Sequence, residues 1–365
     1  MRIGIALRDA SSLSGVSRIV RASAKVLADK GHEVFVLTNR QPKIPWGLPS
    51  AVQWRAVPML PFSSVGRAAS FDFFCRREAR RLGLDSLWGH GDLAAQDLLF
   101  VENCDAAYPE RIGTDRRPSR GTRYIRARQF SEANTACVCA ISGLVAGDVA
   151  RFYGVPPERI RIIHHGVDGV EFNPGRKAAR DAVRDRLGLA RGAWVALSLI
   201  SGDLRKRNIP ALISAFHQAR LPDSARLLLV GAGDGAGLGP RCVASGLTAD
   251  VAELYGAADV FVLPALYEEF GLTVLEAMAT GIPVLVSSSV GASELVTDGA
   301  DGFLLRDARD SVGLVRLLET ACAGADLKAM GERARKTALE HPWERMVQES
   351  LDFLTAARSP IFRKK

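Results

Sequence analysis

Short apolar runs alternate with helical patterns along the whole chain, and this alternation constrains the fold most. In the first half, Arg2–Leu7 predicts a strand, Val16–Asp29 a helix and His32–Thr38 a second strand. The same rhythm restarts at Trp194, where an apolar run precedes a predicted helix over Pro210–Ala219. Strands that alternate with helices form parallel sheets with helices on both faces. At 365 residues, the chain is long enough for two such α/β domains.

A polar stretch that contains proline and glycine, Gly169–Arg176, is the predicted linker between the two domains. We therefore expect an N-terminal domain over residues 1–170 and a C-terminal domain over residues 171–341. The remaining residues, 342–365, begin with Trp343, Met346 and Leu351 at helical spacing and end in a basic tail. They are predicted to form one final helix that precedes this tail.

Two carboxylates, Glu268 and Glu276, lie eight positions apart in a segment with the pattern of strand, loop and helix. The apolar run Val260–Leu263 predicts a buried strand, and Leu272–Thr280 predicts a helix that ends at Gly281. Ligands of open parallel sheets lie outside the carboxyl ends of strands, and a helix N-terminus there favours phosphate. The carboxylates can accept hydrogen bonds from ligand hydroxyls. An anion and a polyol bound together indicate a nucleotide-sugar.

This segment resembles the donor-site motif of family 4 glycosyltransferases, which are retaining enzymes with the two-domain GT-B fold. The family pattern is a Glu, seven intervening residues and a second Glu, here Glu268 and Glu276. Relatives usually carry Gly at the position of Glu269, so this chain departs from the pattern there. The resemblance implies two Rossmann-like domains whose parallel sheets face each other across a cleft. It also implies that the final helix crosses back to the N-terminal domain.

The resemblance implies roles for individual residues of this segment. Glu268 would bind hydroxyls of the donor sugar, and Glu276 would bind the ribose of the nucleotide. The backbone of Phe270, Gly271 and Leu272 would face the sugar and the diphosphate. Glu268 and Glu276 are therefore not expected to act as the acid and base of a glycosidase.

Three consecutive cations, Arg205, Lys206 and Arg207, lie between a predicted strand and a predicted helix. Charge-assisted hydrogen bonds to phosphate are strong, so these cations could stabilise a diphosphate leaving group. In the family, a Lys typically occupies the position of Arg207. Arg and Lys are not equivalent at such a site, and the sequence leaves open which cation binds the phosphates. A solvated basic loop is the alternative interpretation.

The N-terminal half offers weaker candidates. Gly15, which follows Ser14 and precedes a predicted helix, resembles the glycine loop of the family's first domain. A small residue there lets the backbone approach the diphosphate or the acceptor. His90 ends a predicted strand, five residues after Asp85, and matches a family histidine that contacts the donor sugar or the acceptor. A strand-end histidine with a purely local role is the alternative, and His165 is interpreted as structural.

A glycine-rich segment, Val230–Gly237, partly resembles a dinucleotide-binding fingerprint. Gly239 and Pro240 follow directly, so no helix is expected there to bind a pyrophosphate. Similar enzymes place the nucleotide base near residues 243–246, which makes Val243 a donor-binding candidate. The segment 235–244 is shorter than in relatives, and this leaves the identity of the base open.

The net charge of +8 is distributed unevenly. Residues 1–175 hold 24 Lys and Arg against 17 Asp and Glu, whereas the remaining residues hold 24 against 23. This asymmetry indicates an anionic partner for the first half.

An amphipathic helix is predicted over Ser64–Gly83. Its apolar side is composed of Val65, Ala68, Phe71, Phe74 and Cys75, and its charge is supplied by Arg67, Arg76, Arg77, Arg80 and Arg81. A second basic stretch, residues 111–128, holds seven Arg. Basic amphipathic helices bind anionic membrane surfaces, and an ordinary helix packed on the core is the alternative. Nucleic acid is a less favoured partner because no recognised nucleic-acid-binding module accompanies the arginines.

The six cysteines show no metal-binding spacing, and Cys137 and Cys139 alternate with apolar residues as in a core strand. No leader sequence is evident, and the apolar runs fall far short of the roughly 20 residues that span a bilayer. We therefore expect a reduced, cytoplasmic compartment, with the inner face of the cytoplasmic membrane as a peripheral site. No metal ion and no cofactor are expected besides the nucleoside-diphosphate-sugar donor.

The sequence therefore predicts a retaining, metal-independent glycosyltransferase, similar to lipopolysaccharide-core glucosyltransferases. The donor would be a nucleoside-diphosphate-sugar, and the acceptor a phosphorylated or lipid-linked glycan of the bacterial cell envelope. Glu268, Lys206, Arg207 and His90 are the predicted catalytic residues. Two alternatives stay open: a sugar-nucleotide epimerase with the GT-B fold, and a catalytically silent homologue that binds nucleotide-sugars.

Overall fold

A computed structural model of the chain describes residues 1–11, 14–42, 46–200, 202–231, 238–246, 250–324 and 326–357. The chain divides into two compact units. The first comprises Met1–His165 together with a C-terminal helix that begins at Trp343, and the second comprises Gly166–Pro342. Each unit contains one parallel sheet, so the predicted α/β class with two parallel sheets is confirmed.

The first unit is built on seven strands: β1 (Arg2–Ala6), β2 (Glu33–Thr38), β3 (Val52–Ala56), β4 (Ser86–Gly89), β5 (Gln96–Val101), β6 (Thr135–Ala140) and β7 (Ile160–Ile162). They form one sheet in the order β3-β2-β1-β4-β5-β6-β7, and the neighbouring pairs are parallel. The central strands are buried on both faces, which explains their nearly continuous apolar runs.

The helices of this unit that precede residue 165 are α1 (Gly15–Asp29), α2 (Ser64–Arg81), α3 (Tyr108–Ile112), α4 (Arg120–Gln129) and α5 (Gly143–Tyr153). A short 3-10 helix spans Pro157–Arg159. Serine caps begin four of the α-helices, because the side chains of Ser14, Ser63, Ser119 and Ser142 each accept a hydrogen bond from a backbone N–H three residues later.

The second unit has six strands: β8 (Val195–Leu199), β9 (Arg226–Val230), β10 (Cys242–Ser245), β11 (Val260–Leu263), β12 (Val284–Ser287) and β13 (Gly302–Leu305). They form a parallel sheet in the order β10-β9-β8-β11-β12-β13. The strand predicted over Val260–Leu263 is confirmed at both ends.

Among the described residues, six α-helices belong to the second unit and a seventh belongs to the first: α6 (Arg180–Arg186), α7 (Ile209–Gln218), α8 (Val251–Ala257), α9 (Leu272–Ala279), α10 (Ser311–Ala323), α11 (Leu327–Leu339) and α12 (Trp343–Ala356). Short 3-10 helices span Pro174–Ala179 and Gly291–Leu295. Helix α12 packs on α1 and on strands β5 and β6 of the first unit.

Each sheet reverses its strand order beside its first strand. In the first unit the reversal falls between β1 and β4, and in the second it falls between β8 and β11. Ligands of open α/β sheets bind outside the carboxyl ends of the strands at such switch points. The topology therefore predicts ligand-binding residues directly after β4 in the first unit and directly after β8 and β11 in the second.

The predicted amphipathic helix is α2, and most of its apolar side faces the protein. Ala68, Phe71 and Cys75 are buried, and the last two lie in a core cluster with strands β1 and β2. For this side of the helix, packing on the core is the correct interpretation and membrane contact is not. The outward side carries exposed Arg67, Arg77 and Arg80, together with Phe73, whose exposed fraction is 54%.

Candidate functional site

The loops after β8 and β11 lie beside each other because β8 and β11 are neighbouring strands. Residues 202–208 lead from β8 toward α7, and residues 264–271 lead from β11 into α9. The Leu266 N–H donates to the Lys206 carbonyl over 2.9 Å, which ties the two loops together. The predicted cations and carboxylates are thus brought to one edge of the sheet, at its switch point.

Two crossed ion pairs join these loops. Lys206 Nζ lies 2.5 Å from Glu269 Oε2, and Arg207 Nη2 lies 3.4 Å from Glu268 Oε2. All four side chains are largely buried, with exposed fractions between 11% and 19%. Arg207 also donates to the Leu199 carbonyl over 3.1 Å, so its guanidinium is fixed to the end of β8. We refer to Lys206, Arg207, Glu268 and Glu269 as the charge quartet.

The side chain of Arg205, the third predicted cation, is exposed. The backbone N–H groups of Arg205 and Lys206 both donate to Asp203 Oδ1, at 2.9 and 3.2 Å, and so fix the turn of this loop. Asn208 ends the loop in the left-handed region at φ 57°, and its side-chain amide donates to the Ala308 carbonyl. The loop therefore directs Lys206 and Arg207, but not Arg205, at the carboxylates.

The quartet keeps its lysine charged. Burial alone would lower the pKa of Lys206, but the charges of Glu269 and then Glu268 raise it above its ordinary value. Burial raises the pKa of Glu269, and the charge of Glu268 adds to the rise while Lys206 opposes it. Glu269 is therefore a carboxylate whose ionisation depends on the ammonium beside it.

Glu268 keeps acceptor capacity for a ligand. Its Oε2 is buried, and within the described part of the chain it accepts no hydrogen bond, although Arg207 lies 3.4 Å away. The backbone of Glu268 is held in place by two bonds: its N–H donates to the Ser289 carbonyl and its carbonyl accepts from the Gly291 N–H. A carboxylate fixed in this way can accept hydrogen bonds from ligand hydroxyls.

Glu276 lies on the second turn of α9 and is 2% exposed. Its Oε2 accepts a hydrogen bond of 2.8 Å from the Tyr255 hydroxyl, which also lies 3.3 Å from the Thr273 carbonyl. Tyr255 is on α8, so two helices of the second unit fix this carboxylate.

The backbone between the two carboxylates is set by a glycine. Gly271 has φ 91°, and a Cβ there would lie 3.0 Å from the Val290 side chain. Phe270 is buried, and its carbonyl accepts from the Ala292 N–H over 2.7 Å. Leu272 then begins α9, whose first N–H groups have no acceptor within the helix. The N-terminus of α9, with its backbone N–H donors and partial positive charge, therefore follows directly after the loop that holds two members of the quartet, Glu268 and Glu269.

The predicted base-binding residue, Val243, lies in β10 at the edge of the sheet and is partly buried. The strand itself was not predicted from the sequence. Most of the glycine-rich segment Val230–Gly237 lies outside the described residues, as does the start of the segment 235–244. The prediction for the nucleotide base therefore stays a prediction.

In the first unit, His90 follows β4 at the switch point and forms part of a buried triad with Glu102 and His165. His90 Nδ1 lies 2.8 Å from Glu102 Oε1, and His165 Nε2 lies 3.0 Å from Glu102 Oε2. His90 also stacks on Phe100, with ring centroids 5.1 Å apart. Burial alone would raise the pKa of Glu102, but the charges and hydrogen bonds of His165 and His90 lower it to about 2.

An ionised carboxylate only accepts hydrogen bonds, so each histidine must donate to Glu102. His90 therefore donates its Nδ1–H to Glu102, and this hydrogen bond fixes the orientation of the ring. Its other ring nitrogen, Nε2, is buried, and no partner for it is found among the described residues. His90 thus has an unused nitrogen that a ligand could contact.

Three further residues of the first unit can be compared with the sequence predictions. Gly15 is exposed and begins α1, which Ser14 caps, so the predicted glycine lies at a helix N-terminus. Asp85 accepts from the Arg2 N–H over 2.8 Å and has a structural role at the start of β4. Sequence reasoning missed Glu102, whose one signal is its position directly after a buried strand.

Two family models match the chain. The model described as glycosyl transferases group 1 matches residues 197–322, and the model described as Glycosyltransferase Family 4 matches residues 13–169. The chain carries two glycosyltransferase domains. The group 1 match includes the whole charge quartet and Glu276, and the family 4 match includes His90 and Glu102.

Two relatives illustrate the likeness. A D-inositol 3-phosphate glycosyltransferase of Streptomyces scabiei (strain 87.22) is 31% identical over 260 residues, which are 65% of this chain and 56% of the relative. The chain spans about half the length of the relatives of this name that it matches. The lipopolysaccharide glucosyltransferase WaaG of Escherichia coli (strain K12) is 24% identical over 93% of this chain and 95% of its own length.

Solved structures show the fold. A crystal structure of WaaG, described as a glycosyltransferase involved in lipopolysaccharide biosynthesis, matches with a TM-score of 0.79 at 21% identity, over 97% of this chain and 100% of that one. The Anabaena protein Alr3699/HepE, solved in complex with UDP and glucose, matches with a TM-score of 0.77 at 19% identity, over 98% and 100%. The chain therefore has the GT-B fold of these structures.

Proposed function

We propose that this glycosyltransferase transfers a sugar from a nucleoside-diphosphate-sugar to a glycan or glycolipid, with retained anomeric configuration and without a metal ion. One observation carries the proposal: the charge quartet, Glu276 and the N-terminus of α9 converge at the switch point of the second sheet. Cations and helix N–H groups suit a diphosphate, and fixed carboxylates suit sugar and ribose hydroxyls.

These contacts support the following binding mode for the donor. Lys206 and Arg207 would neutralise the diphosphate, Glu268 would accept from donor-sugar hydroxyls, and Glu276 would accept from the ribose. The structural neighbour Alr3699/HepE is described with UDP and glucose bound, which favours a nucleotide-sugar for this chain as well. Val243 remains the candidate for the base.

In the proposed reaction, the bond between the anomeric carbon and the diphosphate oxygen breaks, and a bond from an acceptor hydroxyl oxygen to that carbon forms on the same face. The departing phosphate oxygen takes the hydroxyl proton, so the step needs no protein nucleophile. Lys206, Arg207 and the α9 N-terminus stabilise the negative charge that develops on the phosphate, and this stabilisation lowers the barrier to departure. His90 is the candidate contact of the first unit with donor or acceptor.

The basic character of the first half favours a phosphorylated or lipid-linked acceptor, and the near-full-length match to WaaG favours cell-envelope polysaccharide or lipopolysaccharide synthesis. No helix among the described residues is both long and apolar enough to cross a membrane. We propose that the protein works in the cytoplasm, with peripheral binding to the inner face of the membrane through the outward side of α2.

The donor assignment predicts a split between the two carboxylates. UDP, GDP, ADP and their common sugar conjugates are titrated by thermal shift, where a ligand at about 100 times its Kd stabilises by about 2.7 kcal/mol. For the nucleotide that binds, Glu276→Ala should weaken binding of the free nucleoside diphosphate about 10- to 100-fold, because the variant lacks the charged acceptor of the ribose hydrogen bonds. Glu268→Ala should mainly weaken the sugar conjugate.

Tyr255→Phe is the matched control, since it removes the protein's own donor to Glu276 but keeps the carboxylate. Equal losses of free diphosphate affinity in both Glu variants would contradict the assignment. Turnover of the nucleotide-sugar without any acceptor would favour the epimerase, and binding without transfer to any acceptor extract would favour the silent homologue.

The membrane proposal predicts salt-reversible binding to anionic vesicles. Each basic residue near such a surface contributes about 1 kcal/mol. Replacing Arg67, Arg77 and Arg80 together by Ala should therefore weaken binding to phosphatidylglycerol vesicles by about 3 kcal/mol, or roughly a hundredfold, in a sedimentation assay. The exposed rings of Phe62 and Phe73 can add apolar contact.

The control replaces three exposed arginines of the second unit, Arg309, Arg316 and Arg333, by Ala, which removes the same charge elsewhere. If both triple variants lose binding equally, attraction by net charge explains the result and α2 has no special role. If the unmodified protein does not bind the vesicles, the membrane proposal is wrong.

A further inference from the structure

The anion beside Lys206 in this structure is the carboxylate of Glu269. The Lys206 ammonium lies 2.5 Å from the Glu269 carboxylate and 5.6 Å from the centroid of the Tyr267 ring. The Glu269 side chain is 11% exposed and the Lys206 side chain 19%, so water has little access to this pair. The ammonium is therefore already bound to an anion that belongs to the protein.

The charges of the quartet cancel, because Glu268 and Glu269 balance Lys206 and Arg207. A diphosphate brings further negative charge to this place and would find no net positive side-chain charge. The diphosphate can pair with Lys206 only if the ammonium leaves Glu269. Separating a buried carboxylate from the cation that pairs with it costs free energy. Without Glu269, the remaining three side chains would carry one net positive charge.

We propose that Glu269 is an internal competitor of the donor's diphosphate: it holds Lys206 when the site is empty and lowers the affinity of the site for diphosphates. The inference rests on the proposed function, since it takes Lys206 as a phosphate-binding cation. Its consequence is weaker retention of the nucleoside diphosphate product, which must leave before the next donor binds. Glu269 is in this sense an affinity-determining residue and not a catalytic one.

An ordinary structural ion pair is the competing explanation, and the two differ in the sign of one effect. If Glu269 merely positions Lys206, its removal loosens the loop and weakens anion binding. If Glu269 competes for Lys206, its removal strengthens anion binding, because like charges no longer face each other. An uncharged ligand should not respond to the competition at all.

The test measures binding by isothermal titration calorimetry with three probes: inorganic pyrophosphate, UDP and uridine. Pyrophosphate makes the experiment independent of the base, and uridine carries no phosphate. Glu269→Gln, which keeps the shape of the side chain, should bind pyrophosphate about tenfold more tightly than the unmodified protein, with uridine unchanged. Glu269→Asp keeps the charge and should stay within about threefold of the unmodified protein.

Glu319→Gln is the control, because it removes a carboxylate of the second unit that accepts from the Arg220 N–H on another face. Pyrophosphate affinity that is unchanged or weaker in Glu269→Gln, with Glu269→Asp folded, would overturn the inference. Equal tightening in the Glu319 control would also overturn it. If Lys206→Ala leaves pyrophosphate binding unchanged, the proposed role of Lys206 as a phosphate-binding cation is wrong, so the two failures are distinguishable.

Discussion

Lys206→Ala is expected to reduce turnover about 100- to 1,000-fold, the usual loss when a group that stabilises transition-state charge is removed. The largely buried ammonium of Lys206 can leave Glu269 and form an ion pair with a phosphate. By contrast, the guanidinium of Arg207 is fixed to the Leu199 carbonyl, and the side chain of Arg205 is exposed. The charge on the leaving phosphate grows as the sugar departs, so the loss should be seen mainly in kcat. Single-turnover kinetics with the donor identified by thermal shift would measure it.

The single variant also removes the ammonium that pairs with the buried Glu269 carboxylate, and breaking a buried ion pair in this way costs about 3–5 kcal/mol of stability. Loss of activity must therefore be separated from loss of folded protein. The double variant Lys206→Met with Glu269→Gln removes both charges and should recover most of the stability, because a buried ion pair can be replaced by uncharged groups at little cost. Its turnover should stay low.

Lys328→Ala, an exposed lysine of α11, is the matched control for charge and should leave turnover unchanged. If the double variant recovers turnover along with stability, Lys206 acts only through folding and the assignment fails. If turnover falls tenfold or less in every Lys206 variant, the arginines carry the diphosphate.

The sheet architecture could be predicted because strands buried on both faces produce continuous apolar runs. Val260–Leu263 has this pattern, and the predicted strand agrees with β11 at both ends. The predicted helix over Leu272–Thr280 agrees with α9 to within one residue, since a glycine in the left-handed region limits each end. By contrast, β10 is a half-buried edge strand after Gly239 and Pro240, and its sequence lacks such a run.

Sequence alone predicts those features of the site that depend on residues close together along the chain. The spacing of Glu268 and Glu276 placed both carboxylates near one helix, and the structure has them in the loop before α9 and on α9. The ion-pair partners of Glu269 and Glu102 lie in segments that follow other strands, far away along the chain, so no local spacing predicts these pairs. The apolar side of α2 has the same pattern whether it faces a membrane or the core, and only tertiary packing decides.

Glu102→Gln is expected to destabilise the first unit by about 3 kcal/mol at pH 7, and this loss should shrink as the pH falls below about 4.5. The pKa of Glu102 lies at about 2 in the folded chain against an ordinary value of 4.5. A carboxyl with a lowered folded pKa contributes its full stability above the unfolded pKa and loses it as the pH falls toward the folded one. At pH 3, about 1 kcal/mol of the difference should remain.

Urea unfolding followed by tryptophan fluorescence in a Trp194→Phe background would measure the effect, because the other four tryptophans then report on the first unit alone. Glu110→Gln is the control, since its pair with Arg151 is more than half exposed on both sides and an exposed ion pair contributes little to stability. A Glu102→Gln loss that is equal at pH 7 and pH 3 would show that packing, and not the charge between the two histidines, is what Glu102 contributes. The triad could then not fix the orientation of the His90 ring through an ionised carboxylate, and the proposed ligand contact at Nε2 would lose its physical basis.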